Sequence, residues 1–230
     1  MRNYRKIGIM GGMGPETSAH FYQRMIQLFQ EEKGARFNYE FPEMVIHNVP
    51  SPDNVVAGVD EELWPFMRDS ASLLERAGMS FICIPCNSAH VHIEAVSRAV
   101  KIPVMNILEE TATHVAGTGL NRVLILATHS TIQHGLYPPV LARQGIECIL
   151  PNQSEQEIVT RAIMAVCEGN LDDRVCTELT GVIENHPLAQ GVLLGCTELP
   201  LIIQDQNVDV PLFDTLEILT RAAFERCVAP

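Results

Sequence analysis

The sequence predicts an α/β protein with parallel sheets in two similar halves, and three observations carry that reading. Short apolar runs alternate with amphipathic segments along the whole chain, the pattern of strands joined by helical crossovers. The run Arg122-Val123-Leu124-Ile125-Leu126-Ala127 is continuously apolar after its first residue, as befits a parallel strand buried on both faces. The same punctuation also occurs twice. Phe81-Ile82-Cys83-Ile84 runs into Pro85-Cys86-Asn87-Ser88-Ala89-His90, and Gly191-Val192-Leu193-Leu194 runs into Gly195-Cys196-Thr197-Glu198-Leu199-Pro200.

Residues 4–10 read as a buried strand ending in Gly11-Gly12-Met13-Gly14. Pro15 suits the first position of a helix, with Glu16 in its first turn, and Phe21, Met25, Leu28 and Phe29 mark an apolar face to about residue 32. A strand at 43–48 gives way to Val49-Pro50-Ser51-Pro52-Asp53-Asn54, a loop by its prolines. Leu63, Phe66, Met67, Leu73 and Leu74 predict a helix over 60–77 stopped by Gly78. A strand at 80–85 leads to the first cysteine turn, followed by a helix over 88–100, a short strand at 103–106 and a helix to about 116. The second half opens with the strand 122–127 and the turn Thr128-His129-Ser130-Thr131. Helices at 137–144 and 153–185, the longer divided at Gly169-Asn170, surround a strand at 146–150. The strand 191–195 carries the second cysteine turn, and Val210-Pro211-Leu212-Phe213-Asp214 opens a last helix over 215–227. Cys86 lies 79 residues after Ile7 and Cys196 lies 73 after Val123, a spacing that reads as an internal duplication. In open parallel sheets, ligands bind beyond the carboxyl ends of the strands, where all four turns fall.

Composition narrows the class. The chain has 230 residues, 47% hydrophobic and 19% charged, enough for a sizeable core. Its net charge of -12 and lack of a basic run argue against nucleic acid. Met1-Arg2-Asn3-Tyr4-Arg5-Lys6 runs straight into a strand and does not read as a secretory signal. No stretch reaches the about 18 apolar residues that span a bilayer. Seven cysteines are an odd number, unlike a disulfide framework. These features predict a cytoplasmic protein with a small-molecule partner and neither nucleic acid nor membrane.

The two cysteine turns point to chemistry. A thiol at a strand-to-helix turn meets backbone N–H groups and the positive end of a helix dipole, which lower a pKa otherwise about 8.5. Two thiols flanking an acidic C–H beside a carboxylate can divide the work. One thiolate removes the proton and the opposite thiol delivers one, inverting the centre without a cofactor or a metal. Asn87, Ser88, Thr128 and Thr197, with helix-start N–H groups, can hold the substrate carboxylate as charge develops. Glu198 and His90 lie close enough in sequence to support thiol protonation.

Several plainer readings compete. Cys83-Ile84-Pro85-Cys86 has the form of a redox dithiol, but Cys83 falls inside the strand and the second cysteine turn would go unexplained. Cys83, Cys86, His90 and His92 as zinc ligands would need a knuckle that the strand forbids. Gly11-Gly12-Met13-Gly14 lacks the third glycine of a dinucleotide fingerprint, since Thr17 stands there, and Glu16 would repel phosphate. Asn87, Ser88, Thr128 and Thr197 also suit helix capping, and His90 suits a satisfied structural histidine. Cys148, Cys167, Cys176 and Cys227 read as small hydrophobes.

At these residues the chain resembles the aspartate/glutamate racemase family, the PLP-independent amino-acid racemases. The resemblance rests on Ile7-Gly8-Ile9-Met10-Gly11-Gly12-Met13, Cys86-Asn87-Ser88-Ala89-His90, Leu126-Ala127-Thr128, Gly195-Cys196-Thr197-Glu198-Leu199 and Asp214-Thr215. It implies two pseudo-symmetric α/β domains, 1–108 with 212–230 and 109–211, with the active site in the cleft between them and the last helix returning to the first domain. It also implies a homodimer, Cys86 and Cys196 as proton donor and acceptor, and Met13, Asn54, Asn87, Ser88, Thr128 and Thr197 around the substrate. Two departures bear on that substrate. Aspartate-specific members resemble Pro-Asp-Arg where this chain has Pro52-Asp53-Asn54, and they carry Lys where it has Cys167 before Glu168-Gly169. Without those cations, glutamate or a broader range of polar amino acids fits as well as aspartate. Maleate isomerases, hydantoin racemases and arylmalonate decarboxylases resemble the same architecture, and a non-catalytic amino-acid-binding protein would keep the cleft without exchanging the α-proton.

Overall fold

A computed structural model describes residues 4–51, 60–170 and 172–229. The chain divides into two compact units, Met1–Glu110 with Leu216–Pro230 and Thr111–Thr215.

In the first unit, strand β1 (Ile7–Gly11) is buried along its whole length. Helix α1 (Pro15–Lys33) starts with proline at its N-terminus and ends on Gly34, whose φ of 63° lets its N–H return to the Phe29 carbonyl. Strand β2 (Met44–Asn48), helix α2 (Asp60–Arg76) and strand β3 (Phe81–Cys83) follow. The parallel sheet has the order β2-β1-β3, with Ile9 opposite both Ile46 and Cys83. The strand expected at 103–106 is reduced to one parallel bridge, Ile82 with Val104. Pro103 has no N–H to extend a ladder, although its carbonyl accepts from Ile82. The helix expected over 88–100 is a 3-10 turn, Ser88–His92, followed by helix α3 (Ile93–Ala99).

The chain passes between the units in helix α4 (Ile107–Gly117). The second unit holds strand β4 (Arg122–Ala127), helix α5 (His129–Gln133), helix α6 (Tyr137–Arg143), strand β5 (Glu147–Ile149), helix α7 (Gln153–Cys167), helix α8 (Asp173–Glu184) and strand β6 (Val192–Gly195). Residues 212–214, expected to open the last helix, instead form strand β7 (Leu212–Asp214) beside β6. The parallel sheet runs β5-β4-β6-β7. Each unit therefore places its first strand between its second and third, and the Val104 bridge stands where β7 stands in the second sheet.

The last helix, α9 (Thr215–Val228), belongs from Leu216 onward to the first unit. Phe224 meets Phe29 edge-on at 4.9 Å between ring centroids. Arg24 grips Glu217 through two bonds of 2.9 and 3.1 Å, and the Arg5 N–H donates to the Cys227 carbonyl at 3.0 Å. Removing a side chain such as Phe29 from water contributes about 1.5–3 kcal/mol, so α9 is part of this unit's core.

Candidate active site

Each unit is built around a turn just past the end of its third strand. In the first unit, β3 ends at Cys83 and the chain turns at Cys86, which is 7% exposed. The Cys86 Sγ lies 3.5 Å from the Ser88 Oγ, close enough for either to donate to the other. His90 fixes this turn. Its Nε2 accepts from the Ile107 N–H at 3.1 Å, so its Nδ1 carries the proton and donates to the Cys86 carbonyl at 2.7 Å. Burial pushes the imidazole pKa down to about 4, outweighing its backbone contacts. His90 is therefore a neutral pin between the Cys86 turn and the start of α4, with both ring nitrogens committed to backbone. Asn87 is buried, but its side chain does not cap the following turn. Met13 packs at the margin of the apolar cluster that contains Cys86. Asn54 lies outside the described residues.

The glycines before Met13 allow close backbone approach. Gly12 has a φ of 94°, and a Cβ there would meet the Val49 nitrogen at 2.5 Å. Its N–H donates to the Ser18 Oγ at 2.9 Å, and that hydroxyl donates to the Gly14 carbonyl at 3.1 Å. Sequence reasoning passed over Ser18, whose signal was a buried-face position one turn into α1.

In the second unit, β6 ends at Gly195 and Cys196 follows at once, 5% exposed. The Cys196 thiol donates to the Glu198 Oε2 at 3.0 Å, and the Thr197 hydroxyl donates to the same oxygen at 3.1 Å. Thr128 caps α5 by accepting from the Thr131 N–H at 3.3 Å, and its hydroxyl lies 3.0 Å from that of Thr131. Its capping role is thus realised. Gln156, also missed, donates through its Nε2 to the Ala127 carbonyl at 2.9 Å and holds the end of β4. The signal for it was a polar residue in the apolar stripe of α7 that includes Val159 and Ile163. A hollow of about 430 Å³ beside this turn is lined by Leu194, Pro200, Ile203 and Asp214, among others, but Cys196 and Thr197 do not line it.

The other thiols differ in kind. Cys83 is fully buried in β3 against the Met105 sulfur at 3.6 Å, and burial raises its pKa strongly. Burial pushes Cys148 up to about 11 and Cys227 up to about 12. Cys167 is exposed, unlike the buried small hydrophobe expected there. Among the described residues, no group of three or more His, Cys, Asp and Glu side chains could hold a metal ion, and no helix is long and apolar enough to cross a membrane.

Two parallel α/β units of matching strand order, each with a buried cysteine just past the carboxyl end of its third strand, define a duplicated α/β scaffold. Residues 10–223 match the Asp/Glu/Hydantoin racemase family, and the chain belongs to that family. It is 29% identical over 227 residues to the broad specificity amino-acid racemase RacX of Bacillus subtilis (strain 168), covering 97% of this chain and 98% of that one. Its fold superposes on an aspartate racemase homologue from Pyrococcus horikoshii OT3 with a TM-score of 0.81 and 31% identity, covering 98% of this chain and 100% of that one. For the aspartate racemase of Picrophilus torridus the TM-score is 0.81 and the identity 26%, covering 97% and 94%. The chain is accordingly an amino-acid racemase.

Proposed function

We propose that this racemase inverts the α-carbon of acidic or polar amino acids by a cofactor-independent reaction in which Cys86 and Cys196 are the two acid–base groups. The observation that carries it is the matched placement of two buried thiols, one per unit, each at the carboxyl end of the strand beside its unit's central strand. One thiolate takes the α-proton, the other thiol protonates the opposite face, and no net proton is consumed. Hydroxyls and backbone N–H groups around the turns, with Asn87 and Thr128, are suited to hold the α-carboxylate while negative charge grows on the α-carbon.

Substrate choice follows from missing cations. Cys167 stands exposed at the end of α7 where an aspartate-specific relative would carry Lys, which favours broad specificity over strict aspartate recognition. The test is solvent deuterium incorporation at the α-carbon across a panel of L- and D-amino acids, with a hydantoin included. Incorporation and loss of optical rotation are expected for acidic or polar members. Cys86→Ser and Cys196→Ser should each lower racemisation by at least about a thousandfold; racemisation that survives either substitution overturns the two-thiol reading.

A further inference from the structure

In each turn a cysteine stands past the end of a strand and ahead of a short 3-10 turn, but the group placed two residues after the cysteine differs. After Cys86 that group is Ser88, whose hydroxyl lies 3.5 Å from the sulfur. After Cys196 it is Glu198, whose Oε2 accepts from the sulfur at 3.0 Å. A hydroxyl can donate to a thiolate and so favour it. A carboxylate cannot donate, and its charge opposes a second negative charge beside it. A bond accepted from a thiol stabilises the protonated sulfur.

We propose that Glu198 is a positioning residue that keeps Cys196 as the resting thiol, leaving Cys86 as the resting thiolate, so that the free enzyme is poised to take the α-proton on the Cys86 face. The proposal rests on the two-thiol reading and adds a direction to it. In the poised direction, the α-proton passes to the Cys86 sulfur and the Cys196 proton passes to the opposite face of the α-carbon. That leaves Cys86 as thiol and Cys196 as thiolate, with the proton count unchanged. The new Cys196 thiolate faces Glu198, so the enzyme returns to its resting form by moving a proton from Cys86 to Cys196 through solvent, or by turning over the opposite enantiomer. Because enantiomers are equal in free energy, kcat/KM must stay equal in the two directions. The asymmetry falls on kcat and KM separately.

On the elements beside the second turn, His129 follows β4 and is exposed, Asp214 ends β7, and Glu155 on α7 is held by Asn185 and His186. Around the first turn, His90 is neutral and His92 sits beside the Trp64 ring. Arg68 and Asp69 on α2 pair with each other, as do Glu94 and Arg98 on α3, while Glu75 on α2 accepts from the Lys101 N–H.

The experiment needs no turnover. The full-length enzyme is treated with iodoacetamide between pH 5.5 and 10, and alkylation at each cysteine is followed by peptide mass spectrometry. Comparing the pH midpoint of each site, rather than its absolute rate, separates protonation from access. Cys86 should show the lower midpoint. Glu198→Gln should lower the midpoint of Cys196 by about one pH unit, a roughly tenfold gain in thiolate at a given pH below it, and leave Cys86 unmoved. Glu198→Ala should do the same and guards against a misfolded first variant, with circular dichroism confirming the fold of both. A Cys196 midpoint at or below that of Cys86, or one indifferent to both substitutions, overturns the proposal. The alkylation order can hold in an enzyme that exchanges no α-proton, so failure here and failure of the two-thiol reading are separate results.

Discussion

At the scale of single residues, protonation rather than proximity in sequence decides what each group can do. His90 stands four residues after Cys86 and would be a natural acid–base assistant, yet both of its nitrogens are bound to backbone and it is only 2% exposed. Its pKa, about 4 in the folded chain against 6.5 for the free group, fixes the sign of a pH effect. The unfolded chain binds the proton more readily, so the stability that neutral His90 contributes is intact above pH 6.5 and is lost as pH falls toward 4. Between pH 7 and pH 5 this group alone should cost about 2 kcal/mol. Urea unfolding at the two pH values should show that loss, and His90→Ala should flatten it. At pH 7 the same variant should be less stable by about 2–4 kcal/mol, because the Ile107 N–H and Cys86 carbonyl lose their partner and a cavity opens.

At the scale of elements, the turn that joins β1 to α1 depends on the absence of a side chain. Gly12 combines a φ of 94° with a backbone neighbour 2.5 Å from where a Cβ would sit, so neither strain nor crowding can be relieved by a rotamer change. Gly12→Ala should destabilise the protein by at least ~2 kcal/mol, seen as a fall in Tm of roughly 4–8 °C. Ser18→Ala, which removes only the hydroxyl holding Gly12 and Gly14, should cost about 1 kcal/mol. Elements whose identity rests on a long periodic pattern were legible in the chain, as for α1 with Phe21, Met25, Leu28 and Phe29. Those that rest on a few backbone bonds were not. Strand β7 is three residues long and preceded by Pro211, so no period could announce it; its pairing with β6 creates it. The segment at Val104 looked equally like a strand and forms one bridge, because Pro103 cannot donate.

At the scale of the whole molecule, the chain returns to its first unit at the very end. Phe29 stacks edge-on with Tyr4 and Phe224, and Arg24 takes Glu217 from 193 residues away. A chain shortened to end at Thr215 should therefore lose cooperative unfolding of the first unit, read as loss of a sharp denaturant transition and of protection in the amides of β1 and β3 by hydrogen exchange. Persistence of full protection would show that α9 is dispensable to that core.

By itself the sequence determined the α/β class, the order of nearly every strand and helix, and the two cysteines that repeat at matching turns. These are local or periodic properties, written wherever apolar residues recur at the spacing of a helix or fill a buried strand. Only the tertiary structure decided that His90 is a neutral backbone pin, that Ser18 and Gln156 hold the ends of β1 and β4, and that Glu198 accepts a hydrogen bond from Cys196 while Ser88 stands beside Cys86. Those outcomes depend on which polar atoms end up buried within bonding distance of one another, and burial and distance are products of packing rather than of residue order.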